Sequence, residues 1–182
     1  MLKHKTHVKL LSKLHTVSTR QEEFDNTDGA VSFLRDHAEN FQPPAPDGQI
    51  QSEYYGQDVS LSLEGSVVSF NPPADNPEGL PASTNRMEWY GHLSDEKEQN
   101  GNTVYHNIRW TLTDLCRRGL LKWKTFKLVL DLVDGCATQY RCGIVLYFLV
   151  KLANEFQIIY DRAVNPPGHG KCVVDAKNGI DK

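Results

Sequence analysis

The sequence predicts an α/β fold in which helices pack on the faces of one mixed sheet. Segments with the composition and period-two pattern of strands come first, between about residues 30 and 70. Two segments with helical periodicity follow, at 102–118 and 143–156, and each precedes or follows a further strand-like segment. The predicted order is β-β-β-α-β-α-β-α, which favours a sheet that starts with a hairpin and continues through right-handed parallel crossovers.

The length and charge of the chain limit its organisation. With 182 residues, 39% of them hydrophobic, the chain can bury one core, and one domain is the default expectation. We expect residues 1–29 to form a basic amphipathic helix and a linker, and residues 30–182 to form the core. The formal net charge of −3 excludes a uniformly basic nucleic-acid coat. The segments 1–20 and 117–127 are locally basic, which suits either a nucleic-acid contact or a solvated helix face.

The cysteines and the apolar runs predict where in the cell the protein is found. Four cysteines without an apolar leader segment predict reduced thiols and an intracellular protein. The longest apolar run, at 144–150, is much shorter than the roughly 18 residues that a membrane span needs, so no membrane partner is expected.

The first strands are predicted from alternation and turn signals. Residues 30–38 are predicted to form the first strand. Within 54–70, SLSL alternates with period two, the pair Glu64-Gly65 suits a turn, and SVVSF resumes the extended pattern, so a hairpin is predicted there. The proline-rich segment 71–81 ends this group of strands.

The second half alternates helices and strands. The helix at 102–118 has Asn102 as its expected N-cap and one apolar face. A strand is predicted at 124–134, a helix at 143–156, a strand at 157–164, and a last helix that starts near Val173. The residues expected in the core from the two helices are Val104, Ile108, Leu112, Leu115, Val145, Phe148, Leu149 and Leu152. Trp110 and Trp123 are predicted to pack rather than to stack on bases.

Three carboxylates stand at element ends in this order. Asp36 ends the first strand, Asp134 ends the fourth, and Asp175 lies at the start of the last helix. The element order is typical of the ribonuclease H-like fold, in which the first and fourth strands are neighbours, so the first two carboxylates should converge. Converging carboxylates repel one another without a cation, and oxygen ligands suit Mg²⁺ or Mn²⁺. The alternative is that these residues only cap the turns that follow their strands.

Several sequence blocks resemble a family of transposon-derived, transposase-like proteins. The blocks are DHAENF at 36–41, IQSEYYGQ at 50–57, DGCATQYR at 134–141, and GHGK at 168–171 with an aspartate four residues later. They are similar, in the same order, to the DFxEN, QSxxW, DGCxxQYK/R and GHGKGxxDGxGG blocks of that family. The resemblance covers roughly residues 30–182. His37 and the segment KCVVDAKNG depart from the family pattern.

The resemblance implies a catalytic site. Asp36, Asp134 and Asp175 would be the catalytic residues and the ligands of two Mg²⁺ or Mn²⁺ ions, which drive phosphoryl transfer when bound. Supporting or nucleic-acid-binding roles are implied for Gln139, Arg141, His169 and Lys171. The partner would be DNA, a homo-oligomer is compatible with the family, and a DNA substrate would place a eukaryotic protein in the nucleus. The last helix would barely have begun at Lys182, so a C-terminally truncated core is expected.

Rival interpretations use the same segments. Cys136, Cys142, His169 and Cys172 could hold zinc, although their spacing is looser than usual, and buried core cysteines are the simpler reading. GHGK fails the phosphate-loop pattern at Asn165 and Cys172. Two functions remain: a metal-dependent DNA nuclease and strand transferase of transposase or integrase type, or a non-catalytic remnant that acts as an interaction module or has no function.

Overall fold

The computed structural model describes residues 29–38, 61–81, 85–95, 100–123, 126–133, 140, 142–164 and 174. These residues form five strands and two helices. The strands are β1 (Ala30–His37), β2 (Ser62–Phe70), β3 (Arg86–Ser94), β4 (Leu128–Val133) and β5 (Ile159–Val164). The helices are α1 (Gly101–Arg117), between β3 and β4, and α2 (Gly143–Phe156), between β4 and β5.

The five strands form one mixed sheet in the order β3-β2-β1-β4-β5. The pairs β1–β2 and β2–β3 are antiparallel, whereas β1–β4 and β4–β5 are parallel. Three antiparallel strands that continue into two parallel ones, with β1 at the centre, form the predicted ribonuclease H-like mixed sheet, so the fold class is confirmed. Of the predicted last helix, the structure describes only Val174, which is buried and helical. The predicted helix within 1–29 lies outside the described residues.

The predicted hairpin at 54–70 is wrong. β2 runs without a break through Glu64 and Gly65, which pair with His37 and Asp36 of β1. The Glu-Gly pair is not a turn because the Glu64 carboxylate is buried among polar partners, and a glycine is tolerated inside a paired strand. The third strand is β3, which was not predicted, and the proline-rich segment is part of the connection that leads to it.

Helix α1 is confirmed, but its N-cap is Asn100 and not Asn102. The Asn100 side chain accepts hydrogen bonds from the N–H groups of Asn102 and Thr103, at 2.9 and 3.3 Å. The helix ends at Arg117, and Gly119, just after the C-cap Arg118, has a φ of +71°, a left-handed conformation that suits glycine. The N–H of Leu120 donates to the carbonyl of Leu115, and the N–H of Gly119 donates to that of Cys116, which is the Schellman arrangement.

The two helices cover one face of the sheet and enclose the core. The bounds of α2 match the predicted helix at both ends. The N-termini of the helices approach so closely that a Cβ atom added to Gly101 would collide with the Val145 side chain. The predicted core residues of the helices are all buried except Phe148, which is partly buried and packs against the rest.

Candidate active site at the end of β1

Asp36 is the one predicted site residue that the structure describes. It is the seventh residue of β1, the central strand, and its side chain is partly buried. Strand alternation puts it on the face opposite the helices, because Val31, Phe33 and Arg35 contribute to the helix-covered face. The other predicted site residues lie outside the described residues: Asp134, Asp175, Gln139, Arg141, His169 and Lys171.

A row of small residues flanks Asp36 across the sheet. Asp36 pairs with Gly65 of β2, and Gly65 pairs with Gly91 of β3. Cross-strand partners present their side chains on the same face, so these two strands have no side chain at the positions in line with Asp36. The Leu63 and Trp89 side chains reach toward this row, within 3.7 Å of where a Cβ atom on Gly91 would lie. On the other side of β1, Arg35 pairs with Val133, the last residue of β4. Asp36 therefore lies at the carboxyl end of the β1–β4 parallel pair, on the face opposite the helices.

The residue before Asp36 anchors a buried charge cluster on the helix-covered face. The Arg35 guanidinium donates from Nε and Nη2 to the two carboxylate oxygens of Asp131 on β4, both at 2.9 Å. Its Nη1 donates to Oε1 of Glu64 on β2, at 2.7 Å. Because Arg35 is only 2% exposed and Glu64 and Asp131 each 1%, these bonds are made away from water. The cluster joins the three central strands at the level of Asp36.

A second arginine balances the charge of this cluster. Arg162 on β5 donates from Nε to Oδ2 of Asp131 at 2.7 Å, and the Tyr160 hydroxyl donates to the same oxygen at 2.7 Å. Two arginines face two carboxylates, so the cluster is neutral in sum. A buried pair of this kind needs such compensation, because removing two charges from water costs several kcal/mol per ion.

The pKa values follow from burial and from these neighbours. Burial alone would raise the pKa of Asp131, but the positive charges of Arg162 and Arg35 outweigh it and hold that pKa well below the ordinary value. Burial alone would lower the pKa of Arg35, but the carboxylates of Asp131 and Glu64 outweigh it and raise that pKa. Burial and the Asp131 charge raise the pKa of Tyr160, which stays a hydrogen-bond donor. Asp131 and Arg35 thus stay charged across the physiological pH range.

Tyr140 connects the DGCATQYR block to the central strands. It is buried, and its hydroxyl lies 3.3 Å from Oε1 of Glu64, to which it donates. Its ring lies 5.4 Å from the Arg35 guanidinium carbon and 5.6 Å from the His37 ring centroid. The Arg162 guanidinium donates from Nη1 to the Tyr140 carbonyl at 3.2 Å. The end of this block is therefore fastened beside the carboxyl end of β1.

The charge cluster was not predicted, although the sequence pattern of the two strands contains a signal for it. In AVSFLRDH, Arg35 is in phase with the core residues Val31 and Phe33, and in LVLDLV, Asp131 is in phase with Val129 and Val133. A charge at a core position of one strand predicts an opposite charge on its neighbour. The pairing partner could have been sought from the predicted β1–β4 adjacency.

The described residues bear on the predicted metal sites only through the carboxylates, histidines and cysteines that they include. Within the described ranges, no group of three or more histidine, cysteine, aspartate or glutamate side chains is placed to hold a metal ion. Of the four candidate zinc ligands, only Cys142 is described, and it is partly buried against the core at the N-cap of α2. Cys116 is also partly buried against the core, and burial raises its thiol pKa to about 11. Both cysteines fit the packing interpretation.

Comparisons with known proteins return structural similarities alone. No protein-family model matches the chain, and no curated protein matches it significantly. Its structure is similar to a Mos1 transposase paired-end complex with the left transposon end, with 13% identity and a TM-score of 0.39 over 92% of this chain. It is also similar to a Mos1 mariner paired-end complex with Mn, with 12% identity and a TM-score of 0.41 over 97% of this chain. The alignments span 41% and 52% of those two chains, and at these TM-scores they do not establish an activity here.

None of the helices in the described ranges is long and apolar enough to cross a membrane.

Proposed function

We propose that this chain is a transposase-like domain that cleaves and joins DNA strands with two divalent cations held by Asp36, Asp134 and Asp175. The cations would activate the attacking oxygen and stabilise the leaving oxygen of the phosphoryl transfer. The observation that carries the proposal is the parallel register of β1 and β4. Arg35 pairs with Val133, and the next residues in the sequence are Asp36 and Asp134.

The register makes a shared cation feasible. Neighbouring strands lie about 4.8 Å apart, and consecutive Cα atoms about 3.8 Å apart. If the β4 register continues by one residue, the carboxylates of Asp36 and Asp134 lie side by side on the face with the glycine row. Two carboxylates at that separation repel each other unless a cation lies between them, and carboxylate oxygens are the ligands that Mg²⁺ and Mn²⁺ prefer.

The charge cluster supports this site without being part of it. Asp131 and Glu64 are occupied by arginine partners on the opposite face, so they do not compete for the cation. The bonds from Arg35 to β2 and β4 fix the position of the strand that carries Asp36. Gln139 and Arg141 flank the anchored Tyr140, and on this proposal they orient the ligands or contact the DNA backbone. On the same proposal, Lys171 contacts a phosphate, His169 supports the site, and Asp175 completes the ligand set.

The test measures metal binding and DNA cleavage in matched variants. Mn²⁺ is titrated calorimetrically into the parent chain, Asp36→Asn, Asp134→Asn and the control Asp161→Asn, after circular dichroism has shown that each is folded. Asp161 lies on the same face of the sheet as Asp36 but on the edge strand β5. Nicking of a supercoiled plasmid is then measured with Mn²⁺ and with EDTA. We expect the two site variants to lose both binding and nicking, and Asp161→Asn to keep both.

Two outcomes would contradict the proposal. Unchanged Mn²⁺ affinity in a folded Asp36→Asn variant would remove that carboxylate from the ligand set. A folded parent that neither binds Mn²⁺ nor nicks DNA would favour the non-catalytic remnant.

A further inference from the structure

A surface groove of about 440 Å³ lies between the edge strand β3 and helix α1. Residues 91–93 form one wall, and the other wall includes His106, Arg109 and Trp110 of α1. The volume is within the range of about 300–1,000 Å³ that is usual for small-ligand sites. The groove opens on the helix-covered side of the sheet, so it is distinct from the metal site proposed at Asp36.

Trp110 lies in the groove with a large part of its ring in solvent. Its side chain is 56% exposed, which is unusual for the largest apolar residue type. Edge-to-face contacts fix the ring: the His92 centroid lies 5.6 Å away at an interplanar angle of 87°, and the Tyr90 centroid lies 6.0 Å away at 76°. His92 is held in turn by a hydrogen bond of 3.1 Å with Thr111. The indole is therefore a rigid and accessible aromatic surface.

The groove offers nitrogen donors that suit a phosphate. Among the residues that the structure describes, its lining holds Arg109 and two histidines and no carboxylate, although the whole chain has a net charge of −3. Arg109 bonds through Nε and Nη2 to Glu155, which holds its guanidinium in place. The described contacts of Arg109 leave Nη1 to other acceptors, and the side chain is 47% exposed. An anchored arginine of this kind can donate to an anion at little further cost in side-chain entropy.

The groove is coupled to the strand that carries Asp36. Asn107, which lines it, donates from Nδ2 to Oε2 of Glu64 at 2.5 Å. Glu64 accepts from Arg35, the residue before Asp36. Two hydrogen bonds thus connect the floor of the groove to β1.

We propose that this groove binds an unpaired nucleotide of the DNA substrate, with the base stacked on Trp110 and a phosphate at Arg109. The inference deepens the proposed function, because it adds that the DNA is engaged through single-stranded nucleotides. It replaces the expectation that Trp110 serves packing alone. Stacking on an exposed aromatic ring is tolerant of base identity, so the site would prefer single strands to duplex without strong sequence preference.

The test uses metal-free binding, so that it does not depend on catalysis. The full chain is titrated in EDTA with fluorescein-labelled oligo(dT) of about 15 nucleotides, a length near the upper end of single-strand site sizes. A blunt duplex of equal length is the comparison. Fluorescence anisotropy reports the Kd for the parent, Trp110→Ala, Trp110→Phe and the control Trp123→Ala. Trp123 is also exposed, at 45%, but packs on Phe156 away from the groove.

The expected result is a selective loss. Removing one stacked base contact should weaken oligo(dT) binding by about 5-fold to 150-fold in Trp110→Ala. Trp110→Phe should restore most of the affinity, and Trp123→Ala should bind like the parent. In a Trp89→Phe, Trp123→Phe background, Trp110 is the remaining tryptophan of three, and oligo(dT) should quench its fluorescence.

The inference is overturned if folded Trp110→Ala binds oligo(dT) as the parent does, or if the parent does not bind oligo(dT). Its failure is distinguishable from failure of the proposed function. If the parent neither binds Mn²⁺ nor nicks DNA but binds oligo(dT) through Trp110, the catalytic proposal is refuted and the groove proposal is supported. If the parent binds Mn²⁺ and nicks DNA but its oligo(dT) binding does not depend on Trp110, only the groove proposal is refuted.

Discussion

Replacing Arg35 by methionine should destabilise the protein severely. Methionine has a similar length and no charge, so the change leaves the cavity nearly filled and removes the cation. Three hydrogen bonds of 2.7–2.9 Å disappear, and the buried carboxylates of Glu64 and Asp131 lose their shared partner. Arg162 still faces Asp131, whereas Glu64 keeps the hydrogen-bond donors Asn107 and Tyr140 and has the His37 ring 3.8 Å from its Oε1, but loses its arginine.

The magnitude follows from the burial of the cluster. Breaking a buried ion pair by removing one partner costs about 3–5 kcal/mol, because the remaining charge stays in a poorly solvated site. For a chain of 150–250 residues, each kcal/mol corresponds to roughly 2–4 °C in Tm, so Arg35→Met should lower Tm by about 6–20 °C. The total stability of a domain is about 5–15 kcal/mol, so the variant should remain measurable.

Urea unfolding followed by circular dichroism measures the effect, with Arg86→Met as the matched control. Arg86 lies 3.5 Å from Glu88, but its side chain is 44% exposed, and exposed pairs contribute less than about 1 kcal/mol. A loss below about 1 kcal/mol in Arg35→Met, similar to that of the control, would refute the view that this cluster holds the three central strands together.

Three further predictions follow from local geometry. The pKa of Asp131 is lower in the folded protein than in the unfolded chain, so the unfolded chain binds more protons in acid. The contribution of Asp131 to stability is therefore complete above its ordinary pKa of 3.8 and is lost as the pH falls toward the lower folded pKa. The free energy of unfolding should decrease through that window in urea titrations at stepwise lower pH, and a flat profile would contradict this. Gly101→Ala should lower the free energy of unfolding by about 1–3 kcal/mol, because the added Cβ would collide with the N-terminus of α2. Gly143→Ala has open space at its Cβ and should not destabilise the protein. Equal urea midpoints for the two variants would show that α2 can shift to accommodate the added methyl group. Gln157→Gly should raise the free energy of unfolding by up to about 1 kcal/mol, because Gln157 follows the last residue of α2 in a left-handed conformation, with φ +56°. A lower Tm in this variant would contradict the view that Gln157 is strained.

Local patterns sufficed for the elements that are periodic and apolar. Helix α2 was predicted with both bounds, because a run of apolar residues with helical spacing needs no distant partner to be recognised. Helix α1 was predicted with the wrong cap, because Asn100 and Asn102 are equivalent in composition and only the backbone geometry selects between them. Strand β3 was missed, since RMEWYGHLS has glycine and charged residues in it and forms a strand by pairing with β2.

The candidate site was predictable in part. Asp36 was placed correctly at the end of the first strand, and the adjacency of β1 and β4 follows from the element order. Arg35 and Asp131 were overlooked, because sequence motifs draw attention to the carboxylate at a strand end and not to an ion pair whose members are 96 residues apart. The metal ligation by Asp134 and Asp175 stays a prediction.

By itself, the sequence determined the fold class, the alternation of helices and strands after β3, and the face of each helix that is buried. These depend on periodicity and on turn residues, which act over a few positions. Only the tertiary structure decided that Glu64 is a buried hydrogen-bond partner inside a strand, that Arg35 is shared between β2 and β4, and that Trp110 is exposed in a groove. These depend on which distant groups meet away from water, where one charge is tolerated because another balances it.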